Sequence, residues 1–369
     1  MVWGDCRAVH AARPRAAAPS GNRRPAALAI GGRGERPSGS RFHPVYRQAI
    51  TVFGGLAAGK RPGPADAHRR VGRCPGARAR CAGVRTLIEA ELVGAMSRIR
   101  LPAVTLVCVD TRHPDLAVAA LLRSLAVAEF GAVVLFTAAE RLRADCSGIR
   151  VVGVSIDSIA AYSAFMLTGL VPHVRTTHAL VVQWDGFPTR GDCWDDRFLD
   201  YDYIGAPWPD VAPGGAVGNG GFSLRSRRLL QALATPGMVL GHPEDLAICR
   251  DNRRQLETEF GIRFAPVDMA ARFAYERCPP TGRSFGFHGL FNWDHEFPPT
   301  ELAGMLDRLP DALAAGLDAH ELTARLVARG DRGNAARLLA MRRRLGMWDR
   351  RTLKLWSKLW WAGYRRHAA

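Results

Sequence analysis

Three carboxylates and one imidazole have the type and setting to act on a polar, anionic ligand. Asp185 follows directly on the apolar run Ala179-Leu180-Val181-Val182-Gln183-Trp184 and precedes Gly186. A carboxylate where a buried strand ends can hold a divalent cation, and a cation there can hold a diphosphate. Gly186 would let the ligand approach the backbone closely. The competing role is local, because a strand-end Asp also caps turns. Glu244-Asp245 follows His242-Pro243 and opens a helix. Acids in a first turn complement the helix dipole, and a partly buried one can also serve as a general base. His288 stands in Phe285-Gly286-Phe287-His288-Gly289. A histidine between glycines is poor core filler, and it can ligate a metal or bind phosphate.

Between these groups runs Gly218-Asn219-Gly220-Gly221-Phe222-Ser223-Leu224-Arg225-Ser226, which reads as a glycine-rich loop leading into a helix. It matches neither the Walker pattern nor the dinucleotide fingerprint. Two readings stay open. The amides cradle a phosphate, or a flexible loop brings Asn219 against a hydroxyl-rich ligand. The aromatics Trp184, Trp194, Tyr201, Tyr203, Trp208 and Phe222 lie near these polar groups in sequence, a mixture suited to the apolar faces and hydroxyls of a sugar.

The positioning elements are legible as alternation. Buried strands are expected at 104–109, 132–137, 149–154 and 179–184, with helices at 116–128 and 157–170. Strand–helix alternation argues for parallel strands with helices on both faces. Ligands of such sheets bind beyond the carboxyl ends of the strands, which puts Asp110, Thr137 and Asp185 on one rim. Thr111 and Arg112 follow Asp110 at the first strand end. From about residue 300 the chain turns helical and basic, with a helix pair over 321–345 turning at Gly330-Asp331-Arg332-Gly333. A last helix sets Leu353, Trp356, Trp360 and Tyr364 on one face, flanked by Lys354, Lys358, Arg365 and Arg366. Such a helix over 348–366 can lie in a membrane interface or pack on the protein's own core or a partner, and packing is the stronger expectation.

The net charge of +17 belongs mostly to one end. Residues 1–95 hold 17 Lys and Arg against 5 Asp and Glu, and the remainder holds 34 against 29. The first stretch is rich in Arg, Pro, Ala and Gly without apolar periodicity, and reads as a disordered segment dispensable to the fold, with Met96 a candidate start. Nucleic-acid binding is therefore an expectation for that segment alone. The eight cysteines show no zinc spacing, and Cys108 and Cys249 read as buried free thiols. No stretch reaches the length of a membrane span and no secretory leader is apparent, so a cytoplasmic protein, peripheral to a membrane at most, is expected.

Taken in order, Val182-Gln183-Trp184-Asp185-Gly186-Phe187, Tyr201 to Trp208, Gly218 to Ser226, Pro243-Glu244-Asp245, Phe264-Ala265-Pro266 and Phe287-His288-Gly289 resemble the family of domains of unknown function numbered 5672. That family is itself similar to GT-A type glycosyltransferases. The resemblance covers roughly 101–297 and implies a GT-A-like, Rossmann-like mixed sheet flanked by helices over 96–299, with a helical extension over 300–369. It implies transfer of a sugar from a nucleotide-sugar donor to an acceptor hydroxyl, assisted by Mn²⁺ or Mg²⁺. Asp185 takes the metal position of an Asp-any-Asp motif whose first place is filled by Gln183. The second ligand is then His288, or the site works without metal. Asn219, Gly220 and Gly221, with Trp184 and Gly186, border donor and acceptor. Of the acidic pair Glu244 and Asp245, Asp245 is the expected base. Asp110, Thr111 and Arg112 fall on the nucleotide side by rim position. The alternatives are a non-catalytic sugar-nucleotide or carbohydrate-binding domain, and nucleic-acid binding through the N-terminal segment.

Overall fold

The computed structural model describes residues 98–367, apart from 210, 212, 279 and 281; the basic stretch 1–95 lies outside the described residues. The first half builds a sheet from β1 (Ile99–Val109), β2 (Ala128–Thr137), β3 (Arg150–Gly153), β4 (His178–Val182), β5 (Tyr203–Gly205) and β6 (Ser223–Ser226). Helix α1 (Pro114–Val127) joins β1 to β2, and α2 (Ile159–Ala164) runs on as a π-turn over Phe165–Gly169. The strand order is β3-β2-β1-β4-β6-β5. The four strands legible as apolar runs are the parallel ones. β6 runs antiparallel to both β4 and β5, so the sheet is mixed, as the GT-A-like resemblance implies.

The apolar runs are continuous because both faces of the sheet are covered. On one face Val107, Val109, Val134, Phe136, Ala179 and Val181 pack against Met166, Leu170 and Leu230. Alternate residues Leu106, Cys108, Leu135, Leu180 and Val182 are equally buried on the other. Each fully buried side chain of this size contributes roughly 1.5–3 kcal/mol. Cys108 and Cys249 are buried free thiols, as expected.

Two expectations need correcting. The run expected to stay extended to Trp184 leaves the sheet after Val182, because Gln183 and Gly186 pair backbone to backbone and close a tight turn over Trp184 and Asp185. The glycine-rich run leads into strand β6, and only then into α3 (Arg227–Leu233), whose first turn is capped by the Ser226 side chain. β6 was masked in sequence by its polar residues Ser223, Arg225 and Ser226, every one of them buried.

The crossovers from β1 run toward β2 on one side, while β4 lies on its other side. The crevice above the carboxyl ends of β1 and β4 is therefore the topological switch point, where open α/β sheets bind ligands. Asp110 and the Gln183–Gly186 turn flank it.

The second half packs against the Gln183–Gly186 turn. The stretch α4 (Glu244–Leu246), a π-turn over Ala247–Asp251 and α5 (Arg253–Glu259) is followed by α6 (Val267–Phe273). Two short parallel strands, β7 (Ala274–Tyr275) and β8 (Gly286–Phe287), then carry the chain to His288. After α7 (Trp293–Glu296) and α8 (Pro299–Leu306) comes the expected helix pair, α9 (Leu317–Arg329) and α10 (Arg332–Arg344). Gly330 turns between them with φ 79°, a left-handed backbone that glycine adopts without strain. In α11 (Arg350–His367) the buried line is Thr352, Leu355 and Leu359. Leu353 and Trp360, expected on the packing face, are exposed. The side chains of Tyr364, Arg365 and Arg366 lie outside the described residues. Among the described residues no helix is long and apolar enough to cross a membrane.

Candidate active site at the sheet rim

Asp185, at the tip of the turn after β4, is buried. Its Oδ2 accepts from the backbone N–H of Leu290 at 3.3 Å, and its carbonyl accepts from Gly289 N at 3.1 Å. The turn-capping role weighed for a strand-end Asp is thus filled by one oxygen. The other, Oδ1, is buried without a hydrogen bond and faces His288 Nε2 at 3.7 Å. Burial raises the Asp185 carboxyl above its ordinary range, and His288 pulls it part of the way back.

His288 is boxed in. Its Nδ1 lies 2.9 Å from Glu276 Oε1 and its Nε2 3.1 Å from Gln183 Oε1. The Gln183 amide nitrogen donates to the Tyr162 hydroxyl at 2.9 Å, which turns its oxygen toward the imidazole. Both ring nitrogens therefore face oxygen acceptors, the setting of an imidazolium. Burial opposes that charge, but Asp185 and Glu276 outweigh it and lift the ring to about 9. Glu276 moves the opposite way: burial raises it, and the imidazole more than compensates and holds it below the usual carboxylate range. Asn292 pins the frame by donating to the carbonyls of both Glu276 and His288.

The glycine loop closes over this pair. Asn219 takes a left-handed backbone (φ 63°), tolerable for Asn, and its Oδ1 accepts from the amides of Gly221 and Phe222. A Cβ on Gly221 would sit 2.1 Å from His288 Nε2, and one on Gly220 would sit 2.2 Å from Glu244 Oε1. Those glycines are close-approach residues, and the loop is buried throughout. It is neither an open phosphate cradle nor a flexible flap. A Cβ on Gly186 would likewise strike His288, so its small size serves packing.

The acidic pair divides into two environments. Glu244 forms an ion pair with Arg225, whose side chain is wholly buried on β6 and also donates to the Gly220 carbonyl, Ser223 Oγ and the Met166 carbonyl. Glu244 is thereby committed to satisfying a buried charge. Asp245 makes no ion pair among the described residues, and its Oδ1 accepts only from the adjacent Leu246 N–H. Burial, then the negative charges of Glu244 and Glu276, push its carboxyl up to about 7. That is where a general base is most effective at neutral pH. Of the expected pair, Glu244 is engaged by a buried cation and Asp245 is not.

Asp110, Thr111 and Arg112 lie at the end of β1, as expected. Asp110 Oδ1 accepts from Arg112 N and His113 N, each at 2.7 Å, so one oxygen closes the turn into α1. Thr111 Oγ1 donates to the Ile156 carbonyl. Burial pushes the Cys108 thiol up, and the nearby carboxylates of Asp110 and Asp185 push it further. Three of the six aromatics expected to face a sugar are core instead: Tyr203 and Phe222 are fully buried and Trp208 nearly so. Trp184 is half-buried, edge-on to Trp293 at 5.9 Å, and sits beside Asp185.

Asp185 and His288 are brought together as expected, but as an ion pair and not as two free ligands. Among the described residues no group of three or more His, Cys, Asp or Glu is arranged to hold a metal. A magnesium-type ion at a phosphate site commonly takes only one or two protein carboxylates and completes its shell from water and substrate phosphate. The orphaned Asp185 Oδ1 fits such a shared site. His288 fits only after losing a proton.

Glu276, Arg225 and Tyr162 are site residues that sequence reasoning missed. Glu276 lies between Tyr275 and Arg277 in no recognisable pattern. Arg225 carried one usable signal, a lone arginine in a short run otherwise fit for a strand.

Residues 151–288 match the family described as "Protein of unknown function (DUF5672)". No curated protein matches the chain significantly. Among solved structures, the chain is similar to the mannosyltransferase PcManGT from Pyrobaculum calidifontis in complex with GDP-Man and Mn²⁺. That likeness has 13% identity and TM-score 0.30, and covers 76% of this chain and 93% of that one. It is also similar to TarS residues 1–349 from S. aureus, at 10% identity and TM-score 0.28, covering 65% and 71%.

Proposed function

We propose that the domain is a glycosyltransferase that moves a sugar from a nucleotide-sugar donor to an acceptor hydroxyl, with its reacting centre bounded by Asp185, His288 and Asp245. Asp245 carries this reading. Like Asp110 it makes no ion pair among the described residues, but it is held near neutral ionisation while Glu244 and Glu276 are each engaged by a cation. In the proposed reaction Asp245 accepts the acceptor's hydroxyl proton as that oxygen bonds to the anomeric carbon. The bond from that carbon to the donor diphosphate breaks, and inversion follows from attack opposite the leaving group. Asn219, Gly220 and Gly221 set the floor beside the reacting centre, Trp184 offers a half-exposed ring to a sugar face, and Asp110 to Arg112 border the nucleotide.

A divalent cation shared between Asp185 Oδ1 and the donor would neutralise charge developing on the departing diphosphate. A second reading rests on the protonation of His288: an imidazolium at neutral pH can supply positive charge at the same place without metal. The choice of sugar, nucleotide and acceptor belongs to experiment. A panel of UDP- and GDP-sugars, with Mn²⁺ or with a chelator, would be scored for thermal stabilisation and donor hydrolysis. Stabilisation by at least one donor is expected, and indifference to the whole panel would sink the reading.

A further inference from the structure

The C-terminal helices carry a surface that the sheet rim does not use. α11 packs inward through Thr352, Leu355 and Leu359. Its outward half carries Leu353, Trp360 and Trp361, with Trp348 just before it, each between 48% and 65% exposed. Beside them Arg350, Lys354 and Lys358 recur at four-residue steps and so share one stripe of the helix, with Arg351 adjacent. α11 contains no Asp or Glu. Elsewhere in this region several cations are matched: Arg325 and Arg329 pair with Asp294, Arg337 with Asp307, and Arg344 with Asp311, while Arg308 and Arg332 make no ion pair among the described residues. Arg343, Arg350, Arg351, Lys354 and Lys358 are exposed and make no ion pair among the described residues.

Two hollows open on this side. One of about 270 Å³ is lined by Arg351, Lys354 and Lys358, with Leu355, Ala324 and His320. The other, of about 390 Å³, lies between Arg342, Arg350 and Arg351, with Asp349 on its wall. Cations around a small hollow suit a phosphodiester. Indole rings and a leucine on the adjoining stripe suit the boundary between headgroups and acyl chains.

We infer that the outward half of α11 docks on an anionic lipid bilayer, with Trp360, Trp361 and Leu353 entering the interface and Arg351, Lys354 and Lys358 holding lipid phosphate. Charge complementarity selects this occupant: the four cations Arg350, Arg351, Lys354 and Lys358, without an ion pair among the described residues, border an exposed apolar stripe that water solvates poorly. This goes beyond the proposed sugar transfer and does not depend on it.

The full chain is co-sedimented with phosphatidylcholine vesicles, with and without phosphatidylglycerol. Binding confined to the anionic vesicles is expected. Lys354→Glu/Lys358→Glu should weaken partitioning by about tenfold or more. Trp360→Ala/Trp361→Ala should weaken it comparably and reduce quenching of tryptophan fluorescence by brominated acyl chains. All four positions are exposed, and an unchanged melting transition confirms that each variant folds. The tryptophan variant separates α11 from the basic stretch 1–95, whose attraction would be purely ionic. Undiminished binding by both double variants would overturn the proposal. So would indifference to anionic vesicles alongside retention on single-stranded polynucleotide, whose bases can stack on indoles.

Discussion

The sheet rim and the C-terminal helical end are both rich in charge, and they treat it in opposite ways. At the rim, charges are buried and closed on one another: Arg225 on Glu244, His288 on Glu276 and Asp185. Such pairs are expensive to break, because losing one partner strands the other in a medium that cannot solvate it. On α11 Arg350, Arg351, Lys354 and Lys358 are exposed and make no ion pair among the described residues, so each contributes little to the fold. Burial with pairing gives fixed geometry and shifted proton affinities, while exposure without pairing gives adhesion. Asp245 departs from that pattern, a partly buried carboxylate without an ion pair among the described residues, and the proposed chemistry is placed there for that reason.

The contrast can be broken most forcefully at Arg225. Arg225→Ala leaves Glu244 buried and unpaired and removes the tie to the Gly220 carbonyl; urea denaturation should show a loss of about 3–5 kcal/mol. A loss under 1 kcal/mol would mean that the rim pairs are not closed as described.

His288 gives a smaller effect with a pH signature. Its folded-state proton affinity is raised, from 6.5 to about 9, so its contribution is complete below pH 6.5 and is lost as pH rises through about 9. Stability should therefore fall across that window by about 2–3 kcal/mol in the native chain. His288→Gln should start lower and stay flat. Parallel curves for the two proteins would refute an imidazolium.

Asp245 has the reverse sign. Its folded carboxyl is raised, so the fold loses stability as pH climbs from 3.8 toward 7, the charged form being the disfavoured one. Asp245→Asn should accordingly be more stable than the native chain above pH 7, by about 1 kcal/mol or more. A destabilised Asp245→Asn would assign the residue to the scaffold. At the far end of the scale, Lys354→Glu/Lys358→Glu should alter stability by less than about 0.5 kcal/mol, the usual range for exposed positions.

The same contrast explains what the sequence disclosed. β1, β2 and β4 were legible because strands covered on both faces must be apolar throughout, and the α9–α10 pair because Gly330 ends one helix cleanly; β3, expected to be buried, is an edge strand with only partly buried valines. Asp185, Asp245 and His288 stood out through position: a strand end, a helix start and a gap between glycines. β6 stayed hidden because its buried side chains are polar, and their partners, Glu244 and Asp202, are remote in sequence. Glu276 stayed hidden for the same reason, since only the fold brings it to His288. The aromatics misled: Phe222 stacks on Phe273 and Tyr203 holds the Asn219 carbonyl, and nothing in their spacing separates such core roles from a sugar platform. On α11 the periodicity was correct and the side was not, because Leu355 and Leu359, four apart, fit a helical face as well as Leu353 and Trp360, seven apart.

The central claim, that Asp245 is the base of a sugar transfer, is tested most directly by pairing donor binding with turnover in one variant. Once a nucleotide-sugar that stabilises the native chain is known, Asp245→Asn should keep that stabilisation and lose turnover by about 100-fold or more. Native turnover should rise with pH through about 7. Intact turnover in Asp245→Asn, with donor binding unchanged, would contradict the assignment outright.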